Sequence, residues 1–486
     1  MHANDTNRPS FDVETEILVI GAGPGGYTAA FRAADLGMKV VLVEKEVSLG
    51  GTCLNVGCIP SKALLHAAKV ITEAQEMTGH GIKFSHPEID LEALRSWKSS
   101  NVVDQLTGGL GQLAKQRNVQ IIRGTGEFIS THEMRVVHSQ EDSSIVIRFD
   151  HAIIAVGSHP ATIPNLPQDP RIMDSSSALA MEVIPNRLLV IGGGIIGMEL
   201  GTVYDAFGSN VTIVERSPSL IKGCDKDVIR PLHRRMSKRF EKIMVNTAIT
   251  HITPKEDGIH VGFNGEHNIE NEVFDRILVA IGRKPNGRKI GAEHAGIYVD
   301  DAGYIPVDKN MRTNVPHIFA IGDVIGNPML AHKATHQGKI AAEVIAGHSA
   351  EFLTTAVIPS VAYTDPEIAW AGMTETEAKT QGIPVEISSF PWAASGRAMS
   401  INRTEGLTKL IFEKETNQLI GAAIVGTNAG ELITEAVLAI ESSTKAKSLS
   451  QVIHPHPTLS ETICFAAEMN QGTITDIYIR KSSKAA

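Results

Sequence analysis

Two apolar strands that each break into a glycine-rich turn and a helix, followed by a tail of different texture, predict an α/β protein. Its plan is two Rossmann-like dinucleotide-binding domains and a C-terminal α+β domain.

The first unit opens with the apolar run TEILVI at 15–20 and passes through GAGPGG at 21–26. It continues in the helix-spaced YTAAFRAADLG and closes on the strand KVVLVE, ending at Glu44. Strand, glycine turn, helix and strand in that order form the βαβ unit that binds dinucleotides. Gly21 permits the tight turn, Gly23 lets the backbone approach a pyrophosphate, and Gly26 lets helix and strand pack closely. The helix start supplies unpaired N–H groups and a positive dipole end for phosphates.

The pattern returns in LLVIGGGIIGMELGTVYDAFGSNVTIVE, with Gly192, Gly194 and Gly197 in the turn and Glu215 at the close. In both copies the acid follows the first glycine by 23 residues (21 to 44, 192 to 215). A lone glycine fingerprint is weak; two with matched acids mark a duplicated nucleotide site. A carboxylate at that place accepts bonds from ribose hydroxyls and repels a 2′-phosphate, so Glu215 predicts NAD rather than NADP. Arg216 beside it makes a poor phosphate site behind the acid.

AIIAVGSHPATIP (152–164) and ILVAIGRKPN (277–286) are apolar strands running into Gly-x-x-Pro turns, a further sign of duplication. TNVPHIFAIGD (313–323) ends a buried strand on Gly322 and Asp323. That Asp is placed to accept bonds from a polyol such as a ribityl chain, or to cap a turn. From about residue 356, strand-like VAYTD, EIAWAGM, TKLIF and IGAAIVG alternate with helical GELITEAVLAIESS and LSETICFAAEMNQG, an α+β pattern without a fingerprint. FPWAASGRAMS (390–400) is too apolar and tryptophan-bearing for a plain loop; the sequence assigns it no role, interface packing being one option.

Composition bounds the function. Over 486 residues, 42% hydrophobic and 20% charged with a net charge of −9, the chain is an ordinary multi-domain globular protein. The negative balance argues against nucleic acid and anionic membranes, and the basic residues read as scattered, with no amphipathic basic segment. The opening MHANDTNRPSFDVE lacks the apolar core of a signal peptide, and RLLVIGGGIIGMEL is too short and glycine-rich to span a bilayer. Cytoplasm is the expected compartment. Four cysteines, at 53, 58, 224 and 464, are too few and dispersed for a disulfide framework. Cys224 and Cys464 read as small space-fillers.

Cys53 and Cys58 are different, lying in GGTCLNVGCIPSK (50–62) where the chain re-enters the first nucleotide site. Pro60 suits the first turn of a helix and puts Cys58 near its N-terminus, where a thiol loses its proton more readily. Lys62, one turn on, adds positive charge on the same face. A redox pair is the favoured reading; a zinc pair completed by the distant HPHP and a structural disulfide compete with it. In VIHPHPTLSETI (452–463), His456 and Glu461 are either a base oriented by a carboxylate or a surface pair, with His454 a neighbouring decoy.

Taken together, GAGPGG, GGTCLNVGCIPSKALLH, GGGIIGMELG, AIGRKPNG, TNVPHIFAIGD, MLAHKA and HPHPTLSE resemble the flavoprotein disulfide reductases, in order from about residue 14 to 478. More narrowly they resemble the dihydrolipoamide dehydrogenases, the E3 components of 2-oxo acid dehydrogenase complexes. The resemblance implies FAD held by Gly21, Gly23, Gly26, Glu44, Lys62, Gly126, Asp323 and Ala331. It implies NAD held by Gly192, Gly194, Gly197, Glu199, Glu215, Gly282 and Arg283, with Glu199 also the partner of Lys62. Cys53 corresponds to the thiol that exchanges with substrate and Cys58 to the thiol against the flavin. His456 and Glu461 match an acid–base pair that reaches the other subunit of a homodimer, with a cis bond before Pro457. The implied domains are 1–157 (FAD-binding), 158–281 (NAD-binding), 282–355 (central, completing the FAD site) and 356–486 (interface). The implied activity is NAD-dependent oxidation of dihydrolipoamide, with the lipoyl domain and acyltransferase (E2) core as partners. Glutathione-type and mercuric reductases and a silent docking subunit are the alternatives. Glu215 and the lack of a cysteine pair in DIYIRKSSKAA speak against the first two, and the intact Cys53, Cys58, His456 and Glu461 against the third.

Overall fold

The computed structural model describes residues 11–85, 87–138, 143–352 and 357–478. The polar opening through residue 10, the boundary set at 355/356 and the chain end from 479 lie outside the described residues.

The predicted α/β plan holds. Strands Val13–Ile20 and Val40–Glu44 pair in parallel around the helix Pro24–Asp35, and Gln120–Arg123 and Ser144–Ile154 extend that sheet on either side. The wholly buried runs Ile17–Ile20 and Val40–Val43 at its centre are what a sheet covered on both faces requires. The second unit repeats the plan: Arg187–Ile191, Asn210–Val214, Lys242–Met244 and Arg276–Val279 run parallel beside the helix Ile195–Ala206.

The chain leaves the first unit and returns to it through one ribbon. Ser158–Pro160 pairs antiparallel with Arg283–Pro285, so the two Gly-x-x-Pro turns lie against each other. After the return, Ile318–Ala320 adds to the first sheet beside Ser144–Ile154, and the helix Ala331–Ile345 packs on the helix Pro24–Asp35. Residues distant in sequence thus complete the first unit.

The tail folds as a five-stranded antiparallel sheet: Ser360–Ala362, Glu367–Gly372, Leu419–Gly426, Leu407–Glu413 and Val385–Pro391 in that order. The helices Ala429–Glu441 and Glu461–Gln471 pack on it. Residues 390–400 find their place here. Trp392 is fully buried in this domain's own core, its indole N–H donating to Thr408 Oγ1 at 3.0 Å, and Phe390 and Ala398 are buried with it, while Arg397 and Met399 stay exposed.

The basic residues depart from the sequence reading. The segment from Lys226 to Lys242 also carries Arg230, Arg234, Arg235, Lys238 and Arg239 against Asp227 and Glu241. Its helix, Lys226–Met236, buries Val228, Ile229, Leu232 and Met236 and turns cations outward. Helical spacing interleaves these charges with core residues, which hides them in a linear reading.

One ionic hub ties the three parts of the chain. Asp365 accepts from Arg235 at 2.7 Å, from Arg239 at 3.4 Å and from Arg403, while Arg235 also holds Glu76 at 2.6 Å. Burial opposes the Asp365 charge, but Arg403 and Arg235 hold its carboxyl below the usual range. Its stabilising effect is therefore fully present above the unfolded carboxyl pKa of about 4 and fades as pH falls through the lower folded value. Replacing Asp365→Ala strands the guanidiniums and is expected to lower unfolding free energy by about 3–5 kcal/mol at neutral pH. The loss shrinks on acidification. Urea unfolding from pH 7 downward checks both.

Candidate active site

The two glycine turns do in space what their spacing implies. Gly21 and Gly192 take φ of +96° and +109°, and a methyl on Gly192 would sit 2.4 Å from the Ala280 carbonyl oxygen. Gly26 and Gly197 press on the carbonyls of Gly21 and Gly192, closing each helix onto its strand. Gly23 and Gly194, the residues at which the two helices start, behave oppositely: a methyl on either would meet no protein atom within 4 Å. The space above them is kept for something other than protein.

That space is a single cleft of about 2110 Å³ running along both units, larger than the roughly 300–1,000 Å³ of an ordinary one-ligand pocket. Glu44 and Glu215 bound it in matching fashion. Glu44 accepts the Ala22 and Glu46 N–H groups at 2.7 and 2.9 Å, and Glu215 those of Gly193 and Ser217 at 2.9 and 2.7 Å. Burial raises the Glu215 carboxyl, but those N–H donors outweigh it and hold the group below its ordinary range. Two anchored carboxylates at the ends of two cradles fit two dinucleotides.

Cys53 and Cys58 line the same cleft, both as free thiols. Cys53 rides on a short helix, Gly51–Val56, that the sequence reading did not anticipate, and Cys58 is the first residue of the long helix Cys58–Glu76. The Cys53 thiol hydrogen-bonds to the Cys58 sulfur, and together with Lys62 it lowers the Cys58 pKa to about 7 against the effect of burial. The same bond, with burial, pushes Cys53 up. The pair is therefore asymmetric, with the thiolate at the helix start.

Lys62 is itself held. Its Nζ bonds Glu199 Oε2 at 2.8 Å and lies 4.6 Å from the Tyr363 ring centroid, while Tyr363 N–H donates to Glu199 Oε1 at 2.9 Å. Glu199 belongs to the second unit's helix, so this ion pair bridges the two nucleotide units. Nothing in VAYTD marked Tyr363 for that place.

Asp323 also faces the cleft, accepting from Ser158 Oγ at 2.5 Å; Ser158 in turn accepts from Arg283 Nε at 2.7 Å. Arg283, assigned by resemblance to the second site, is thus drawn toward the first. Ser158 was missed, although it directly follows Gly157 in the first Gly-x-x-Pro turn. Gly126, Ala331 and Gly282 line the cleft as well, Ala331 at the start of its helix.

The base pair stands elsewhere. His456 Nδ1 lies 2.8 Å from Glu461 Oε1, and Glu461 Oε2 accepts the Thr458 N–H at 2.7 Å. The His456–Pro457 bond is cis. The His456 side chain is 81% exposed and is not among the residues lining the cleft of its own chain. His454 is the decoy it looked to be, buried against Glu435 at 2.8 Å. Cys224 and Cys464 are inert by the same measure, pushed by burial to about 12 and about 11.

Comparison with known proteins agrees with this geometry. Residues 15–338 match the pyridine nucleotide-disulphide oxidoreductase family, and residues 358–467 match that family's dimerisation domain. The chain is 51% identical to a dihydrolipoyl dehydrogenase of Vibrio parahaemolyticus, over 98% of this chain and 99% of the other. It is 44% identical to one of Geobacillus stearothermophilus, over 95% and 97%. Among solved structures, LpdA of Mycobacterium tuberculosis superposes with a TM-score of 0.87 at 25% identity, covering 94% of this chain and 99% of that one. The HOCl-induced flavoprotein disulfide reductase RclA of Escherichia coli gives 0.83 at 27%, covering 93% and 99%. The chain belongs to the pyridine nucleotide-disulphide oxidoreductase family and, within it, to the dihydrolipoyl dehydrogenases. Its cofactors are FAD and NAD, and the dimerisation domain makes it a homodimer. Among the described residues, no helix is long and apolar enough to cross a membrane.

The glycines separate folding from binding. Gly194→Ala is expected to leave the thermal midpoint of the NAD-free protein unchanged while weakening NAD binding at least tenfold. Gly192→Ala, at a positive φ and against a carbonyl, is expected to cost about 1–3 kcal/mol of stability. Thermal unfolding alongside an NAD titration distinguishes them.

Proposed function

We propose that the cleft oxidises dihydrolipoamide to lipoamide and delivers the electrons to NAD. The observation that supports this most directly is the asymmetric thiol pair inside the two-dinucleotide cleft, with Cys58 poised near neutrality. Gly21, Gly23, Gly26, Glu44, Gly126, Asp323 and Ala331 hold FAD, and Gly192, Gly194, Gly197, Glu215 and Gly282 hold NAD. When bound, FAD carries the electron pair from the thiol side to NAD. Glu215, held charged by one N–H donor on each oxygen, keeps acceptor capacity for ribose hydroxyls and disfavours a 2′-phosphate, and so selects NAD over NADP.

The chain's own residues do the thiol chemistry. The cycle starts from the Cys53–Cys58 disulfide. His456 of one subunit, held through Nδ1 by Glu461, takes a proton at Nε2 from a substrate thiol docked at the other subunit's cleft. The substrate thiolate attacks Cys53 and forms a mixed disulfide, and Cys58 leaves as a thiolate. The helix start and Lys62 make Cys58 the better leaving group. The second substrate thiol then attacks the substrate sulfur bonded to Cys53 and its proton passes to the departing Cys53, releasing lipoamide and leaving Cys53 as a thiol and Cys58 as a thiolate. Exposure of His456 away from its own cleft favours this two-subunit arrangement. The substrate thiols are presented on the lipoyl domain of an acyltransferase (E2) core, in the cytoplasm, where free cysteines such as Cys224 and Cys464 persist.

Anaerobic mixing of the flavin-loaded protein with dihydrolipoamide, followed by NAD or NADP, tests the reading. Rapid NADH formation with little NADPH is the expected result; a flavin reduced by NADPH and unmoved by dihydrolipoamide would overturn it. His456→Gln is expected to slow turnover by about 10²–10⁴-fold. Lys62→Met is expected to raise the pH midpoint of Cys58 ionisation from about 7 toward the ordinary thiol value, and Cys53→Ala to raise it further. Ultraviolet thiolate absorbance of the reduced protein reads both.

A further inference from the structure

We propose that the groove between the helix Lys226–Met236 and the chain at Glu405 and Leu407 binds an oligophosphate, two or three linked phosphate groups. The groove holds about 370 Å³, room for a small anion. Arg230, Arg234 and Lys238 line it, and all three are exposed. At i, i+4 and i+8 they stand on one face along about 12 Å of helix axis and the turn that follows it.

What sets these three apart is that the nearby acids are already taken. Asp227 is held by Lys409 at 3.0 Å and Glu405 by Arg403 at 2.7 Å. Arg235, the fourth cation of the groove, spends its guanidinium on Asp365 and Glu76. The side chains of Arg230, Arg234 and Lys238 have no hydrogen-bond or ion-pair partner among the described residues. Three unmatched cations thus converge on one concavity of a chain whose net charge is −9. Two arginines and a lysine spread over two helical turns exceed what one phosphate can reach. Linked phosphates can engage all three, each arginine offering a bidentate fork. Half-buried Pro231 and Leu407 form the apolar part of the lining. A free phosphate chain and the triphosphate of a nucleotide share the chemistry read here.

Calorimetric titration of the flavin-loaded full-length dimer, with NAD saturating its own site, tests the proposal. The probes are tripolyphosphate, ATP and inorganic phosphate. Tripolyphosphate is expected to bind once per chain, at least tenfold tighter than inorganic phosphate, and more weakly as salt is raised. The double substitution Arg230→Gln with Arg234→Gln is expected to weaken it at least tenfold. Arg288→Gln, which alters an exposed arginine elsewhere, is expected to leave it unchanged. Equal affinity for ATP and tripolyphosphate supports a site that reads phosphates alone, and tighter ATP binding supports a nucleotide. Absence of binding, or binding that survives the double substitution, overturns the proposal, the latter placing the anion on another surface of the chain. Flavin content and thermal midpoint confirm that each variant is folded.

Discussion

A thiol must sit at the start of a helix, inside a nucleotide cleft, and stay there while the parts of the chain around it carry different ligands. The helix Cys58–Glu76 meets that constraint because both of its ends are tied. At one end Lys62 reaches Glu199 on the second unit, and at the other Glu76 reaches Arg235 and through it Asp365. The first tie crosses the cleft and the second joins the two nucleotide units to the tail. Fixing the helix fixes where Cys58 lies relative to both cradles and to the Cys53 thiol that does most to lower its pKa, with Lys62 of the tether adding to that effect and Glu199 opposing it.

Duplication supplies the rest. Two copies of one βαβ unit give two cradles whose glycines repeat their roles residue by residue, down to the carboxylate that caps the loop from the far side. The ribbon of Ser158–Pro160 against Arg283–Pro285 holds the copies at a set distance, and Ser158 links that ribbon to Asp323.

Much of this was legible in the amino-acid order, for a physical reason. Glycine turns, buried parallel strands and a cysteine before a helix-starting proline are local features, and local features are written contiguously. The roles of Gly23 and Gly194, the start of the Cys58 helix and the separation of His456 from His454 all followed from short stretches. What stayed hidden depends on long-range proximity. Tyr363 touches Lys62 from three hundred residues away, and Arg283 bends back toward Asp323 through Ser158. The hub around Asp365 draws on four segments. Trp392 shows the converse: a conspicuous apolar stretch left without a role by the sequence places its indole in its own domain's core. The basic helix was missed because charge at a period near four disappears among the core residues that share its turns.

The account stands on one claim above others, that thiols from one chain and the His456–Glu461 pair from another make a single site. Mixed dimers test it directly. One chain carries Cys58→Ser and the other His456→Gln, the two are co-expressed with different tags, and the heterodimer is isolated through both. If the site spans subunits, the heterodimer keeps one complete set of residues and recovers dihydrolipoamide-dependent NAD reduction that neither parent homodimer shows. If the heterodimer is as inactive as its parents, the thiols and the base act within one chain and the two-subunit arrangement is wrong.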